Sequence, residues 1–475
     1  MKGTRVLVMG LGVHGGGLGV VRWLLRQGAC VTVTDMASAE RLSVPLAALE
    51  QTMREEAVAA DRVQYVLGAH RADDFVSHDM LVVNPAVRPD SPWVAMAQRA
   101  GVPIETQMTL FFRACRGRIL GVTGTKGKTT TALLAAAMLR QHYPDTVVAG
   151  NMRVSALDML DQLQPETPVV LELSSFQLVG LGQAGLSPRY ACITNFSPDH
   201  LNYHDTMEEY ARAKRQIFWH QESPSVVVLN HAEVDFWLAG RGYGGSEGAH
   251  SAVVTFSTAG DSGADCVPTR DGGVVCYGER LFDIADIRLP GEHNLANVLA
   301  ATALVHSFGL ERSALVAGVR GFGGVEHRLE VVRELDGVRY VNDTTATNPA
   351  AALAALSSFD APLVFIAGGA DKGLEFGALP RRIVERVRVL VLLDGSATPR
   401  LEREVREVLA QGGGGCLQAI VGPFDDFGAA IAAAREEAAA GDVVLLSPGC
   451  ASFGMFRNEF HRGDEFRRIV QSELL

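Results

Sequence analysis

The stretch GVTGTKGKTT, residues 121–130, decides how the chain reads. It follows the apolar pair Ile119 and Leu120 and leads into TALLAAAMLR, so a strand, a glycine loop and a helix succeed one another. Gly124 and Gly127 let backbone N–H groups face a phosphate, Lys128 reaches β and γ oxygens, a hydroxyl at Thr129 serves Mg²⁺, and Thr130 completes the loop. With Thr125 and Lys126 between the glycines, the loop reads as an ATP site. The common spacing G-x-x-x-x-G-K-[ST] asks for glycine where Val122 stands, which leaves open a damaged site or a different kind of site.

Upstream, Gly10-Leu-Gly12-Val13-His-Gly15 follows the strand RVLVM and precedes a helical run, with Asp35 ending the next strand. This is the fingerprint of a dinucleotide-type loop, in which a diphosphate meets a helix N-terminus. The pattern does not separate NAD from FAD or another nucleotide. Apolar strands alternate with helices almost to the end of the chain, which predicts parallel sheets covered by helices on both faces. At 475 residues the chain exceeds one ordinary core. Breaks near 115–118 and 320–327 predict three α/β domains, 1–117, 118–323 and 324–475.

The formal charge of -11 speaks against a general nucleic-acid or anionic-membrane binder. Seven scattered cysteines, without a C-x-x-C pair, read as reduced thiols of a cytoplasmic protein. There is neither a signal-peptide pattern at the start nor an apolar run near 18 residues. The Gly- and Ser-rich segment 241–265 reads as an excursion around a short strand, without chemistry.

An ATP site needs ligands for its cation at the ends of neighbouring strands. PVVLELSS (168–175) offers Glu172, and TNFSPDHLNYH (194–204) offers Asn195, Asp199 and His200. In TMEEYARAKRQIF (206–218), Met207, Tyr210, Lys214, Ile217 and Phe218 recur at helical spacing, so Lys214 falls on the core face. Either its ammonium snorkels to water, or a partly desolvated amine becomes reactive and takes up carbon dioxide as a carbamate. Further on, Asn294 and Asn297 sit one turn apart near a helix start. NDTTATNP (342–349), AGGADKG (367–373) and SPGCASF (447–453) each follow a strand, which suggests a shared crevice.

These segments, GTKGKTT, LELSSFQL, TNFSPDHLNYH, Lys214, HNLANVLAA, EHRLE, NDTTATNP, AGGADKG and SPGCASFGMF, stand in the order that marks the Mur ligases, and over nearly its whole length the chain resembles that family. The resemblance implies that G-T-x-G-K-[ST] is the family's own ATP loop, so Val122 marks no damage. It further implies a Rossmann-like N-terminal domain, a P-loop-type ATPase domain and a Rossmann-like C-terminal domain. The implied reaction is ATP-dependent amide formation through an acyl phosphate, on UDP-N-acetylmuramoyl-L-alanine with D-glutamate as the incoming amino acid.

By matching positions, Lys128 holds phosphate and Thr129 one Mg²⁺, while Glu172, His200 and a carbamate on Lys214 surround a second. Asn294 and Asn297 lie by adenine, Arg328 by phosphate and Asp343 by ribose. Gly10, Gly12, Val13, Gly15, Asp35, Met36 and Asn151 serve the UDP-sugar, and Thr347, Lys372 and Ser452 the amino acid. The resemblance carries expectations of a monomer without nucleic-acid or membrane partners. Three positions depart from the family: Thr345 stands where lysine is common, Asn84-Pro-Ala-Val replaces S-P-G-[IV], and Phe460 lies one place late. A folate polyglutamate synthase-like ligase shares the ATP loop but lacks the leading G-x-G-x-x-G domain, and a non-catalytic nucleotide-binding regulator is the reading from another class.

Overall fold

The computed structural model describes residues 1–12, 16–88, 90–151, 155–200, 203–239, 251–260, 263–289, 291–371, 373–412 and 415–472. The fold is α/β, with three Rossmann-like sheets flanked by helices. Two compact units make up the chain: Met1–Ile287 with Glu292–Phe322, and Arg288–Gly291 with Gly323–Leu475.

The first unit holds two sheets. Strands β1 (Arg5–Met9), β2 (Cys30–Asp35), β3 (Val63–Leu67), β4 (Met80–Val83) and β5 (Ile104–Thr106) form a parallel sheet in the order β3-β2-β1-β4-β5. The order reverses between β1 and β4, which opens a crevice at their carboxyl ends. Nine further strands follow: β6 (Arg118–Thr123), β7 (Val147–Gly150), β8 (Pro168–Glu172), β9 (Tyr190–Ile193), β10 (Val226–Asn230), β11 (Ala252–Phe256), β12 (Cys266–Pro268), β13 (Gly273–Cys276) and β14 (Glu279–Asp283). They run β14-β13-β12-β11-β10-β9-β6-β8-β7, with β6 between β9 and β8. The helices Lys128–Leu139 and Glu292–Phe308 are buried along most of their length, as the apolar residues on every side of them after their polar first turns require.

The second unit is built on β15 (Glu330–Leu335), β16 (Val338–Asn342), β17 (Leu363–Ala367), β18 (Val387–Leu393), β19 (Ala419–Phe424) and β20 (Val443–Leu446), ordered β15-β16-β20-β17-β18-β19. Each β17 residue is fully buried, as a strand covered on both faces must be.

Alternation of strands and helices predicts parallel pairing, and the β12-β13-β14 and β15-β16 pairs depart from it by being antiparallel. The reason is local. Only Tyr277-Gly278 joins β13 to β14 and only Asp336-Gly337 joins β15 to β16, all four at positive φ, and a two-residue turn cannot carry a parallel crossover. The excursion read in 241–265 contains β11, paired in parallel with β10; residues 241–250 lie outside the described residues.

Candidate active site

The phosphate loop follows β6, an interior strand that lies between β9 and β8. At Gly127 the chain turns left-handed, φ +77°, and a Cβ there would lie 2.1 Å from Asn297 Oδ1. A Cβ at Gly124 would lie 1.9 Å from Thr194 Oγ1. The loop is therefore held tightly by its neighbours. Asn195 grips it from the end of β9, accepting from Lys126 N at 2.9 Å and donating to Lys126 O at 3.1 Å, while Thr194 Oγ1 donates to the same carbonyl at 2.6 Å. Thr125 Oγ1 accepts from Ser197 N at 3.0 Å and donates to Ser197 O at 3.1 Å. Gly127→Ala is expected to cost about 1–2 kcal/mol from the backbone alone. Displacement of Asn297 adds to this, and titration with a fluorescent ATP analogue is expected to read at least about tenfold weaker binding. Unchanged affinity would contradict the reading of this turn.

Lys128 starts the helix and folds back over the loop, donating to Gly124 O at 3.1 Å and Thr125 O at 3.0 Å. Beside it, Thr129 Oγ1 donates to Glu172 Oε2 at 2.6 Å, and Asn151 Nδ2 donates to Glu172 Oε1 at 3.0 Å. Glu172 ends β8 and is buried. Three adjacent strands thus deliver the loop (β6), the carboxylate (β8) and the clamp (β9) to one edge. Thr130, also buried, lies on the first turn of the same helix. Asn297 Nδ2 donates to Asn294 Oδ1 at 3.3 Å, and Asn297 Oδ1 accepts from Thr131 at 3.4 Å.

Lys214 is 1 % exposed. Its Nζ reaches no water: it donates to Gly124 O at 2.7 Å and stands 4.5 Å from the centre of the Tyr210 ring. Burial pushes its pKa down to about 6, with the charge of Lys128 acting in the same direction. The amine is therefore largely neutral near pH 7. Half-buried His200, at φ +54°, follows Asp199, whose Oδ1 accepts from the His200 N–H at 2.9 Å. Burial holds the His200 imidazole below its ordinary range; Asp199 opposes this, while Lys128 and Lys214 reinforce it.

Fit to Mg²⁺ follows from the donor set. A hydroxyl, one buried carboxylate and backbone carbonyls are hard oxygen donors, and Mg²⁺ takes one or two carboxylates together with phosphate oxygens. Among the described residues no three or more His, Cys, Asp or Glu side chains gather at one point.

On the first sheet, Asp35 Oδ2 accepts from Gly12 N at 3.2 Å and Oδ1 from Ala37 N at 2.9 Å, which ties the glycine loop to the end of β2. Met36 is exposed beside it. Asn84 Nδ2 donates to Gly10 O at 3.4 Å, so this departure from the family pattern is packed directly on the loop. Val13, Gly15 and Lys372 lie outside the described residues.

In the second unit, four loops meet at the carboxyl ends of β16, β17, β18 and β20. Gly449 N donates to Ala346 O, Gly368 N to Pro448 O and Ala397 N to Gly369 O. A cleft between them is lined by Thr347, Asp371, Phe376, Arg400 and Cys450 among others. Arg400 pairs with Asp371 at 3.1 Å and lies 4.9 Å from the Phe376 ring centre. Ser452 is buried, Arg328 is exposed, and Thr345 Oγ1 donates to His327 O at 2.9 Å.

Buried Asp343 accepts from Ser447 Oγ at 2.7 Å and from Leu329 N at 3.2 Å. Burial pushes its pKa up to about 7, against the pull of Ser447, the Leu329 N–H and Arg328. An acid whose folded pKa exceeds its unfolded value near 3.8 loses stability as pH rises through that window. Asp343→Asn is therefore expected to raise the melting temperature at pH 8 and to leave it nearly unchanged at pH 4, which calorimetry at the two pH values checks.

Several residues outside the expected site set hold these sites together. His204 is fully buried, hydrogen-bonds through Nε2 to Ser175 Oγ at 2.9 Å and stacks on Phe176; Tyr210 donates to Thr125 Oγ1 at 3.4 Å. Buried Arg462 donates to Thr344 Oγ1 and Thr344 O, both at 3.0 Å, and so fastens the loop after β16 to the last helix. The density of His and aromatic residues in 196–210 is the one signal that marks the first group.

Comparison with known proteins spans nearly the whole chain. Family models match in order: the Mur ligase MurD-like N-terminal domain over residues 4–106, the Mur ligase middle domain over 122–305, and the Mur ligase glutamate ligase domain over 327–450. The chain is 52% identical to the UDP-N-acetylmuramoylalanine--D-glutamate ligase of Roseiflexus sp. (strain RS-1), covering 99% of both chains. It is 38% identical to the protein of the same name from Symbiobacterium thermophilum, covering 98% of both. Among solved structures, UDP-N-acetylmuramate-alanine ligase MurC from Thermotoga maritima shares the fold at a TM-score of 0.55 and 20% identity, over 99% of this chain and 100% of that one. With the architecture, the order of the three matches and this full-length identity in agreement, the chain belongs to the Mur ligase family.

Proposed function

We propose that the chain is an ATP-dependent ligase that adds D-glutamate to UDP-N-acetylmuramoyl-L-alanine in peptidoglycan precursor synthesis, releasing ADP and phosphate. The observation that carries this reading is the gathering of Lys128, Thr129, Glu172, Asn151 and Lys214 at the ends of β6 and β8, in a chain whose full-length relatives bear that ligase name.

The chemistry joins one anion to another: a carboxylate of the UDP-sugar attacks the γ-phosphorus of ATP, the bond from that phosphorus to the bridging oxygen breaks as ADP leaves, and an acyl phosphate results. The amine of D-glutamate then attacks the acyl carbon, its nitrogen gives up one proton to water, and phosphate leaves with its bonding electrons. Repulsion between the anions is the main barrier, and charge placed in advance lowers it. Lys128 supplies positive charge over the loop, and Thr129, Glu172, His200 and a carbamate on Lys214 would hold two Mg²⁺ ions. When bound, Mg²⁺ neutralises phosphate and carboxylate charge as they approach. Asn151, bonded to Glu172, orients that carboxylate and faces the reacting end of the UDP-sugar.

Asn294 and Asn297 serve adenine, Arg328 phosphate and Asp343 ribose. Gly10, Gly12, Val13, Gly15, Asp35 and Met36 serve the UDP moiety, and Thr347, Lys372 and Ser452 the amino acid. The division into a Rossmann-like domain (1–117), a P-loop-type ATPase domain (118–323) and a Rossmann-like C-terminal domain (324–475) belongs to the same reading, as do a monomer and a cytoplasmic location. Among the described residues no helix is long and apolar enough to cross a membrane.

Phosphate release tests the proposal, with ATP, Mg²⁺ and UDP-N-acetylmuramoyl-L-alanine, and D-glutamate set against L-glutamate, L-alanine, L-lysine and diaminopimelate. Release that needs both the UDP-sugar and D-glutamate is expected. Release with a different amino acid would move the chain to a sibling activity, and none with any would overturn the ligase reading.

A further inference from the structure

We propose that Tyr210 is a positioning residue that aims the Lys214 amine at carbon dioxide, using its ring face as one of two acceptors for the amine's N–H groups. The inference rests on the reading of Lys214 as a carbamate, and deepens it.

Tyr210 and Lys214 lie one turn apart on the helix Met207–Trp219, the spacing at which side chains meet. Both are buried, and Lys214 Nζ stands 4.5 Å from the Tyr210 ring centre and 2.7 Å from Gly124 O. In the amine form, nitrogen carries two N–H bonds and one lone pair. The carbonyl takes one N–H and the electron-rich ring face the other, so the lone pair is left a single direction. Attack on carbon dioxide forms the N–C bond and converts one C=O π pair into a carboxylate oxygen. One N–H proton passes to bicarbonate as base, and the remaining N–H keeps one of the two acceptors.

The ring is itself fixed from three sides. Its hydroxyl donates to Thr125 Oγ1 of the phosphate loop at 3.4 Å, and it packs against Phe196 and His204 with ring centres 5.4 and 5.2 Å away. His204 in turn stacks on Phe176, ring centres 5.8 Å apart and planes 14° from parallel, and hydrogen-bonds to Ser175 at the start of the helix after Glu172. A chain of contacts thus runs from the Glu172 end of β8 to the Lys214 nitrogen. A ring held this way has one orientation to offer the amine.

The test reads the carbamate directly, by ¹³C NMR of the full-length protein in ¹³C-bicarbonate, alongside kinetics at several bicarbonate concentrations. Tyr210→Leu removes the ring, Tyr210→Phe removes only the hydroxyl, and pentafluorophenylalanine at 210 keeps shape and volume while removing the electron-rich face. The leucine and fluorinated variants are expected to need about tenfold more bicarbonate for half-maximal carboxylation and half-maximal kcat, with KM for the UDP-sugar within about twofold. Tyr210→Phe is expected to stay within about threefold of the parent. Equal carboxylation in the parent and the fluorinated variant would overturn the proposal, and so would a loss of kcat that bicarbonate does not restore. Absence of a carbamate signal in the parent would remove the Lys214 reading and this role with it, a result distinct from a signal that Tyr210 does not affect.

Discussion

Lys214→Ala is expected to lower kcat by about a thousandfold or more, because it removes an anionic ligand from a site that must hold charge against charge. Formate or acetate at millimolar concentration is expected to restore part of the loss, since a small carboxylate fits the space vacated by the lysine stem and its carbamate. Activity near that of the parent without rescue would exclude the carbamate. The same residue makes an opposite prediction for stability. Its folded pKa of about 6 lies below the unfolded value near 10.5, so between these limits the unfolded chain binds a proton that the folded chain does not. Burial of the amine therefore costs stability most below pH 6, and the cost fades as pH rises to 10.5. Lys214→Met, which fills the space without a charge, is expected to be more stable by a few kcal/mol at pH 6 in CO₂-depleted buffer. At pH 10.5 it should match the parent; calorimetry at both values decides.

Glu172→Gln is expected to cost about a thousandfold in kcat while leaving the fold intact. Both carboxylate oxygens act as acceptors, one for Thr129 and one for Asn151. Glutamine keeps one acceptor and turns an NH₂ toward the other partner. Thr129 can answer by rotating its hydroxyl to accept, so no buried polar group is stranded. What is lost is a full negative charge in a buried position beside the phosphate loop. The Mg²⁺ concentration for half-maximal rate should rise, with the melting temperature moving little. A variant within tenfold of the parent would remove Glu172 from the reaction.

Local patterns made the fold largely legible, and the site less so. Strand, glycine loop and helix at 118–139 follow from residues adjacent in sequence, as does the placing of Glu172 at a strand end. Thr206 and Glu209 stand in capping-box spacing, yet only half of the box forms: the Thr206 hydroxyl accepts from Glu209 N, and the Glu209 carboxylate turns to Asp205 N. Helical spacing put Lys214 on the core face yet could not say where its nitrogen ends, because its partner Gly124 O lies 90 residues upstream. The pairing of Arg400 with Asp371 and the hold of Arg462 on Thr344 likewise arise only when distant segments fold together. Two-residue turns such as Asp336-Gly337 were readable in principle, but three- to six-residue strands are too short for their direction of pairing to show in the pattern.

The placing of β6 has a consequence for hydrogen exchange. Its register runs Leu120–Thr123 against Tyr190–Ile193 on one side and Arg118–Val122 against Pro168–Glu172 on the other, so its amides are covered from both edges and both faces. Such amides exchange only when the whole unit opens, whereas terminal and loop amides exchange through local fluctuations. The phosphate loop is therefore anchored on the part of the unit that opens last, and its strand-side end is fixed whatever local fluctuations the loop itself undergoes.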